Sequence, residues 1–180
     1  MAETATPAQE RDPEWLITPE MRAEVGVERD PQRYEVEKAP IRMYARAVGY
    51  TDRIFWDEAA AKAAGYRGLV APPGFFGFRI PNGLEDYVGA GSSIVSPTSG
   101  GHTLAGLNAG QRYVLTPGVT ICAGDILTST SELVSIRQTT TSRGPAIITE
   151  HERSYTNQLG QMVARNYGST MRVLVSQEGR

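Results

Sequence analysis

Three segments in the C-terminal part of the chain alternate between apolar and polar residues: DILTSTSELVSIR (residues 125–137), PAIITEHERSY (145–155) and QMVARNYGSTMRVLV (161–175). Such alternation is typical of β-strands that bury one face. A shorter strand is predicted near residues 111–115, and TNQLG (156–160) has the composition of a hairpin turn between the last two strands. The sequence therefore predicts an antiparallel meander of four strands.

The N-terminal half of the chain contains short helices and one strand. Residues 18–26 start with Thr-Pro and end with Gly, which are the usual start and stop residues of a helix. A strand is predicted at residues 34–37. The apolar residues between positions 41 and 48 fall on one helical face, and the following Gly stops that helix. Residues 57–65 predict another helix, with an Asp cap, a run of alanines and a terminal Gly.

Residues 68–91 are apolar and aromatic and are interrupted by prolines. We expect a buried helix that begins near Pro73 and is interrupted at Pro81. The Ser- and Gly-rich residues 91–101 predict a loop. The order of strand, helices and antiparallel meander predicts an α+β fold in which a long sheet covers a hydrophobic helix.

Composition places the chain among globular proteins. It has 180 residues, of which 40% are hydrophobic and 21% charged, so one domain with one core is expected. The formal net charge is −2 and the basic residues are scattered, which disfavours nucleic acid as a partner. The longest apolar stretch falls short of the roughly 20 residues that a membrane span needs. The composition predicts a soluble protein without a membrane partner.

Cys122 is the only cysteine, which excludes an internal disulfide and a cysteine-based zinc site and fits a cytosolic compartment. Residues 1–13 are small, polar and acidic and do not resemble a signal peptide. We expect a disordered tail there and a folded domain over residues 14–180.

Metal and cofactor sites have no support in the sequence. The two histidines, His102 and His151, are far apart, which argues against a multi-histidine metal centre. The chain contains no dinucleotide-binding glycine motif, no Walker loop and no nucleophile elbow. We therefore expect no metal and no cofactor.

Residues 44–75, YARAVGYTDRIFWDEAAAKAAGYRGLVAPPGF, resemble the MaoC-like hydratase/dehydratase superfamily. Within it they are similar to the FAS1-like or MaoC N-terminal dehydratase branch. Members of that branch typically contain a segment that begins with Asp-Glu-x-x-Ala and ends with Gly-Gly-Ile-Ala-Pro-Pro. GLNAG (106–110), the AGD turn (123–125) and YTNQLGQMVA (155–164) are also similar to that branch. The resemblance covers about residues 30–173.

This resemblance implies a single hot-dog fold, a long antiparallel sheet wrapped around a central helix, with two such units paired side by side. Active members hydrate trans-2-enoyl thioesters or dehydrate 3-hydroxyacyl thioesters on coenzyme A or acyl carrier protein in fatty acid metabolism. The family motif is Asp-x-Asn-Pro-Ile-His, in which the Asp and the His hold and deprotonate a water. Alignment through Gly49 and Asp57 puts Tyr50 at the Asp position and Phe55 at the His position.

The catalytic pair of the family is therefore missing. Phe has no basic atom, and a phenol with a pKa near 10 is a poor base at pH 7. Non-catalytic hot-dog subunits of heterodimeric 3-hydroxyacyl-ACP dehydratases also lack the pair, and this sequence is similar to them. The resemblance implies a subunit that binds an acyl thioester beside a catalytic MaoC-type chain. Two alternatives stay open: a homodimeric acyl-thioester binding or accessory protein without turnover, and an active homodimer with a rearranged site.

Candidate substrate-binding residues follow from the acyl site that runs along the helix of hot-dog proteins. They are Trp56, Pro73, Gly74, Phe75 and Phe76. Aromatic clusters beside a buried helix are more often plain core residues, which is the simpler explanation of the aromatic members. The Gly after two prolines is explained either by an approach of backbone N–H groups to a thioester or by a simple helix start.

Other polar residues near this stretch have simpler explanations. Asp57 is expected to act only as a helix cap. For the rearranged site, His102 in the predicted loop and Asp52 at the family's Asn position are weak candidates for the base. His151 is expected to be structural. Arg46 and Arg53 are candidates for a coenzyme A phosphate or for plain surface.

Overall fold

The computed structural model describes residues 16–29, 31–80 and 102–176. The elements in chain order are α1 (Pro19–Ala23), β1 (Gln32–Glu35), α2 (Lys38–Val48), the 3-10 turn η1 (Arg53–Phe55), α3 (Glu58–Ala63), β2 (Phe78–Ile80), β3 (His102–Leu115), β4 (Ile126–Thr141), β5 (Gly144–Thr156) and β6 (Met162–Ser176). The predicted tail at residues 1–13 and the predicted loop at residues 91–101 lie outside the described residues. Within the described ranges, no helix has the length and hydropathy to cross a membrane.

The strands of the described residues form one antiparallel sheet with the order β2-β1-β4-β5-β6-β3. The predicted meander is confirmed for β4, β5 and β6, which are neighbours in space as in sequence. The turn between β5 and β6 is held by Asn157, whose Oδ1 accepts hydrogen bonds from the N–H groups of Leu159 and Gln161. This side chain replaces missing backbone partners, which is why Asn is favoured in such turns.

The strand predicted near residues 111–115 is much longer, because β3 begins at His102. Gly106, Asn108 and Gly110 interrupt the apolar pattern, and the register shifts between Asn108 and Gly110. The strand pairs along its length with β6 and not with β4, so the predicted four-strand meander was wrong for this strand. Pairing with a long neighbour outweighs weak local strand propensity. His102 is therefore the first residue of a strand, opposite Ser176, and the prediction that it lies in a loop was wrong.

The helix predictions before residue 66 are confirmed. The capping residues explain where these helices start and end. The Thr18 hydroxyl accepts a hydrogen bond from the N–H of Met21 at the start of α1. Asp57 Oδ1 accepts from the first N–H groups of α3. Gly49 ends α2 with a φ of 78°, a conformation that glycine adopts without strain.

The predicted helix beginning near Pro73 is absent over residues 73–80, and the rest of that prediction lies outside the described residues. Residues 72–75 form a tight turn, in which the Phe75 N–H donates to the Pro72 carbonyl at 3.0 Å. Gly74 has a φ of 91°. Pro at the second position and a positive-φ Gly at the third are the signature of a type II turn. Pro-Gly here sets a turn, and the chain then pairs as β2 with β1.

Two apolar clusters cover one face of the sheet. The larger contains Ile41 from α2 and Tyr155 from β5, and the smaller packs Leu16 and Met21 against Ile147 of β5. Positions 147 and 155 are an even number of residues apart on one strand, so their side chains lie on the same face. The helices α2 and α1 therefore contribute to two separate clusters on one sheet face.

Candidate functional site

An apolar pocket of about 230 Å³ lies between residues 70–76 and the ends of β3 and β6. Its lining is Ile54, Phe55, Tyr66, Val70, Ala71, Pro72, Pro73, Gly74, Phe75, Phe76, Leu115, Val119, Thr120, Ile121 and Val163. Among these described residues there is no carboxylate, imidazole, amine or thiol. The pocket suits an apolar group and offers it no acid or base.

Backbone hydrogen bonds fix the wall formed by residues 69–71. The N–H of Val70 donates to the Ile54 carbonyl at 3.1 Å, and the N–H of Ala71 donates to the Ile121 carbonyl at 2.9 Å. The Leu69 carbonyl accepts from Ala123 at 2.8 Å. This segment is thus held from two sides, and the pocket has a preformed wall.

Phe75 and Phe76 form the aromatic side of the pocket, and each is 7% exposed. The Phe76 ring stacks between Tyr113 and Tyr155, with centroid distances of 5.1 and 4.6 Å. Phe75 packs against the Tyr44 ring, with a centroid distance of 5.5 Å. Both phenylalanines therefore belong to the core and line the pocket at once, so the two sequence-based explanations are compatible.

Gly74 brings the turn of residues 72–75 against the Tyr44 hydroxyl. A Cβ at this position would lie 2.8 Å from Tyr44 Oη, on a backbone with a positive φ. The Phe75 N–H already donates to the Pro72 carbonyl. The Phe75 N–H is therefore occupied within the turn, and the contacts of Gly74 that the structure describes are turn geometry and close packing against Tyr44.

The two residues that the sequence alignment puts at the family's catalytic positions contact each other. The ring centroids of Tyr50 and Phe55 lie 5.4 Å apart, and Phe55 lines the pocket. The Tyr50 carbonyl accepts a hydrogen bond from the indole N–H of Trp56 at 2.9 Å. Trp56 is absent from the described lining of the pocket and braces the loop of residues 50–56 from outside it. Four of the five predicted contact residues thus line one pocket, and Trp56 lies beside it.

The remaining predicted residues are engaged locally. Asp52 Oδ1 accepts from the N–H of Ile54 and caps η1. Arg53 forms an ion pair with Asp57. The hydrogen bond from Arg53 and those from the first N–H groups of α3 lower the pKa of Asp57. His151 lies on β5 with its Nε2 3.2 Å from Thr149 Oγ1, and burial, followed by nearby arginine charges, lowers its pKa.

The sequence did not predict a buried ionic cluster around Asp125, which is 1% exposed. Its carboxylate accepts from Arg67 Nη1 at 2.7 Å, from the Cys122 N–H at 2.8 Å and from Gln158 Nε2 at 2.9 Å. Burial alone raises the pKa of Asp125, but these hydrogen bonds outweigh it and the pKa is lowered. Arg67 also donates to the Thr120 carbonyl, so the cluster joins both sides of the pocket to the β5–β6 turn.

Comparisons with known proteins identify the family of this chain. The FAS1-like, dehydratase domain region matches residues 23–166. A UPF0336 protein of Parafrankia sp. is 36% identical over 131 residues, which are 73% of this chain and 79% of that protein. A UPF0336 protein of Streptomyces avermitilis is 36% identical over 104 residues, 58% of this chain and 64% of the relative, so this match spans less than two thirds of the relative's length.

Solved structures share the fold. The C-terminally truncated HadBC (3R-hydroxyacyl-ACP dehydratase) complex from Mycobacterium tuberculosis matches with a TM-score of 0.58 and 25% identity, over 82% of this chain and 96% of the other. The ChsH1-ChsH2 complex from the same organism has a TM-score of 0.58 and 16% identity, over 85% and 91% of the two chains, which shows the fold alone. The curled antiparallel sheet matches these MaoC-like neighbours, which confirms the hot-dog fold. The chain belongs to the family of the FAS1-like, dehydratase domain region.

Proposed function

We propose that this chain is a subunit of an (R)-specific enoyl-thioester hydratase or 3-hydroxyacyl-thioester dehydratase. It binds part of the acyl chain, and a separate MaoC-type hot-dog chain supplies the catalytic Asp and His. The observation on which the proposal depends is the contact between Tyr50 and Phe55, the residues aligned with the two catalytic positions, together with the place of Phe55 in the lining of an apolar pocket.

Water addition to an enoyl thioester needs a group that accepts a proton at neutral pH. Phe55 has none, and phenols are poor bases at neutral pH. The described lining of the pocket adds only the hydroxyls of Tyr66 and Thr120. The base must therefore come from elsewhere, and a second chain is the simplest source.

The size of the pocket supports a shared substrate. Its volume of about 230 Å³ lies below the roughly 300–1,000 Å³ of a typical small-molecule site. An acyl group fits there, but a complete acyl-CoA or acyl-ACP thioester extends beyond it. Two of the structures with this fold are described as complexes, HadBC and ChsH1-ChsH2, and HadBC is described as a dehydratase.

The test is an activity assay on the chain alone and on the assembled pair. We expect the purified chain to hydrate crotonyl and longer enoyl thioesters negligibly, and co-expression with a chain that contains Asp-x-Asn-Pro-Ile-His to produce activity. The control is the same pair with the partner's motif His replaced by Ala, which should be inactive. Turnover by this chain alone at a typical rate, about 1–1,000 per second, would contradict the proposal. Thioester binding without turnover in any such pair would favour an accessory protein instead.

A further inference from the structure

The apolar pocket is graded from a buried floor to a more exposed rim. The floor consists of the lining residues that are at most 9% exposed, and these include Val70, Ala71, Phe75, Phe76, Ile121 and Val163. The other lining residues are half-buried or exposed. All side chains of the floor are hydrocarbon. A molecule that enters the pocket therefore passes the rim first and meets a purely apolar floor last.

The polar side chains of the described lining both lie at the rim. They are Tyr66 and Thr120, which are half-buried and each have one hydroxyl group. Neither hydroxyl has a hydrogen-bond partner among the described residues. Within the same residues, the buried side-chain N or O atom without a partner is Asn166 Nδ2, so the two rim hydroxyls are reached by solvent. Both are therefore free to bind a ligand.

The ionic cluster of Asp125 holds these two rim residues next to each other. Arg67, which follows Tyr66, donates from Nη2 to the Thr120 carbonyl at 3.3 Å, and its guanidinium also pairs with Asp125. The N–H of Tyr66 donates to the Ala61 carbonyl of α3 at 3.0 Å. Tyr66 and Thr120 are thus anchored through their backbone or that of a neighbour, which leaves the two hydroxyls available at a fixed place on the rim.

The gradient in polarity favours one orientation of an acyl thioester. The hydrocarbon tail has no hydrogen-bonding atom, whereas the thioester carbonyl at C1 is an acceptor and a hydroxyl at C3 is both donor and acceptor. With the tail on the floor, apolar surface leaves water and the oxygens stay near the rim hydroxyls. The opposite orientation would bury the oxygens against hydrocarbon without partners, which is unfavourable.

We propose that Tyr66 and Thr120 bind the oxygen-bearing head of the acyl group, at C1 or C3, while its tail points towards Phe75 and Phe76. The inference rests on the proposed function for the identity of the ligand. It makes Tyr66 and Thr120 specificity-determining residues, which select 3-hydroxyacyl and 2-enoyl thioesters over plain hydrocarbon. They position the substrate, and the base still comes from the partner chain.

The experiment measures the binding of three six-carbon probes to the full chain by backbone amide NMR shifts. The probes are the N-acetylcysteamine thioesters of 3-hydroxyhexanoic acid and trans-2-hexenoic acid, and n-hexane. Tyr66→Phe and Thr120→Val should each weaken thioester binding by about 2- to 10-fold, the usual effect of one neutral hydrogen bond. Hexane binding should not change, because both replacements keep the shape of the side chain. Weakening of both thioesters identifies the oxygen at C1, and weakening of the hydroxyacyl thioester alone identifies the oxygen at C3.

The matched controls are Tyr167→Phe and Thr140→Val, which remove hydroxyls outside the described lining of the pocket. The orientation is tested with Phe75→Leu. This variant should change how affinity depends on chain length, whereas the factor lost by Tyr66→Phe should be the same at every chain length. Unchanged thioester affinity in both rim variants, equal weakening by the controls, equal loss of hexane binding, or no saturable thioester binding by the wild type would each overturn the inference.

Turnover by the co-expressed pair separates this inference from the proposed function. An active pair whose thioester affinity and KM do not respond to Tyr66→Phe or Thr120→Val would keep the proposed function and refute the role of the two hydroxyls. An inactive pair in which the chain still binds thioesters through these hydroxyls would refute the dehydratase role and keep the binding site.

Discussion

At the residue scale, the buried carboxylate of Asp125 determines how the pocket is held. Its hydrogen bonds join three segments that are distant in sequence: Arg67 before the pocket wall, the turn at Cys122, and Gln158 in the β5–β6 turn. A charge removed from water in this way is tolerated only when it is paired and fully hydrogen-bonded. Asp125 and Arg67 are therefore expected to act together as positioning residues for the pocket.

We predict that Arg67→Met lowers the free energy of unfolding by about 2–3 kcal/mol at pH 7, because a buried carboxylate loses its charged partner. The native pKa of Asp125 lies below that of an unfolded aspartate, about 3.9. Its stabilisation is therefore complete above that value and is lost as the pH falls through the lower native pKa. The difference between the wild type and Arg67→Met should shrink as the pH falls from about 5 to 2. Urea unfolding at several pH values measures it.

The control for that experiment is Arg53→Met, which removes an exposed ion pair with Asp57. Such pairs contribute about 0–1 kcal/mol, so this variant should be nearly neutral. An equal loss of stability in the two variants, or an Arg67→Met effect that does not change with pH, would contradict the role assigned to Asp125.

Gly74→Ala is predicted to destabilise the chain through two separable effects. The positive φ costs about 1–2 kcal/mol for a residue with a Cβ, and the new methyl group would also press on Tyr44 Oη. Gly118→Ala is the matched control, since Gly118 has a φ of 77° and a Cβ added there would meet open space. Gly74→Ala should therefore cost more than Gly118→Ala, and adding Tyr44→Phe should recover the difference. Equal costs in thermal unfolding would show that the close approach of Tyr44 contributes nothing.

At the element scale, residues 72–80 form a turn and an edge strand where a helix was expected. Gly77 makes this path possible: its φ is 81°, and a Cβ there would collide with the Glu35 carbonyl oxygen of β1. Close approach of the two backbones lets β2 pair with β1. The turn places Phe75 and Phe76 between the core and the pocket, so both are suited to affect stability and substrate choice.

We predict that Phe76→Ala costs about 3–5 kcal/mol of stability, since it removes a ring stacked between two tyrosines. If the acyl chain occupies the pocket, Phe76→Ala and Phe75→Ala should also change the chain-length preference of the assembled enzyme. Phe78→Ala is the control, because Phe78 is 61% exposed and outside the described lining of the pocket. A large loss of melting temperature with unchanged thioester selectivity in both variants would assign these residues to the core alone.

At the scale of the whole molecule, the sheet ends in a long edge strand. β3 pairs with β6 on one side and is last in the strand order of the described residues. Leu107, Val114 and Leu115 on this strand are 42–48% exposed. Long apolar edges are prone to pair with another chain, and natural proteins normally cover them. The β3 edge is therefore the expected interface with a second hot-dog unit.

We predict that the protein is larger than one 19.6 kDa chain in solution, either alone or with its catalytic partner. Val114→Lys should shift the mass measured by light scattering towards the single chain, because a charge on an edge strand opposes strand pairing. Leu159→Lys is the control, since Leu159 is 67% exposed at the tip of the β5–β6 turn. A single 19.6 kDa species at micromolar concentration, with or without candidate partners, would refute this prediction.

Elements with local signals were predictable from the amino-acid sequence alone. The alternation in residues 145–155 and 161–175 predicted β5 and β6, and Asp57 and Gly49 marked the start and the end of helices. Helix caps, turns and apolar–polar alternation depend on residues that are close together in sequence, so the sequence alone is enough to detect them. The alignment of Tyr50 and Phe55 with the family's catalytic positions also comes from the sequence alone, and it stays a prediction.

Features whose partners are remote in sequence became apparent only in the folded chain. Pro73-Gly74 is equally suited to a helix start and to a turn, and pairing of the following residues with β1 accompanies the turn. Asp125 meets Arg67 across 58 residues, and Asn166 lies beside Arg153 because β5 and β6 pair in one register. Burial and cross-strand pairing bring these polar groups together, and a linear pattern of residue types does not specify which distant groups will meet.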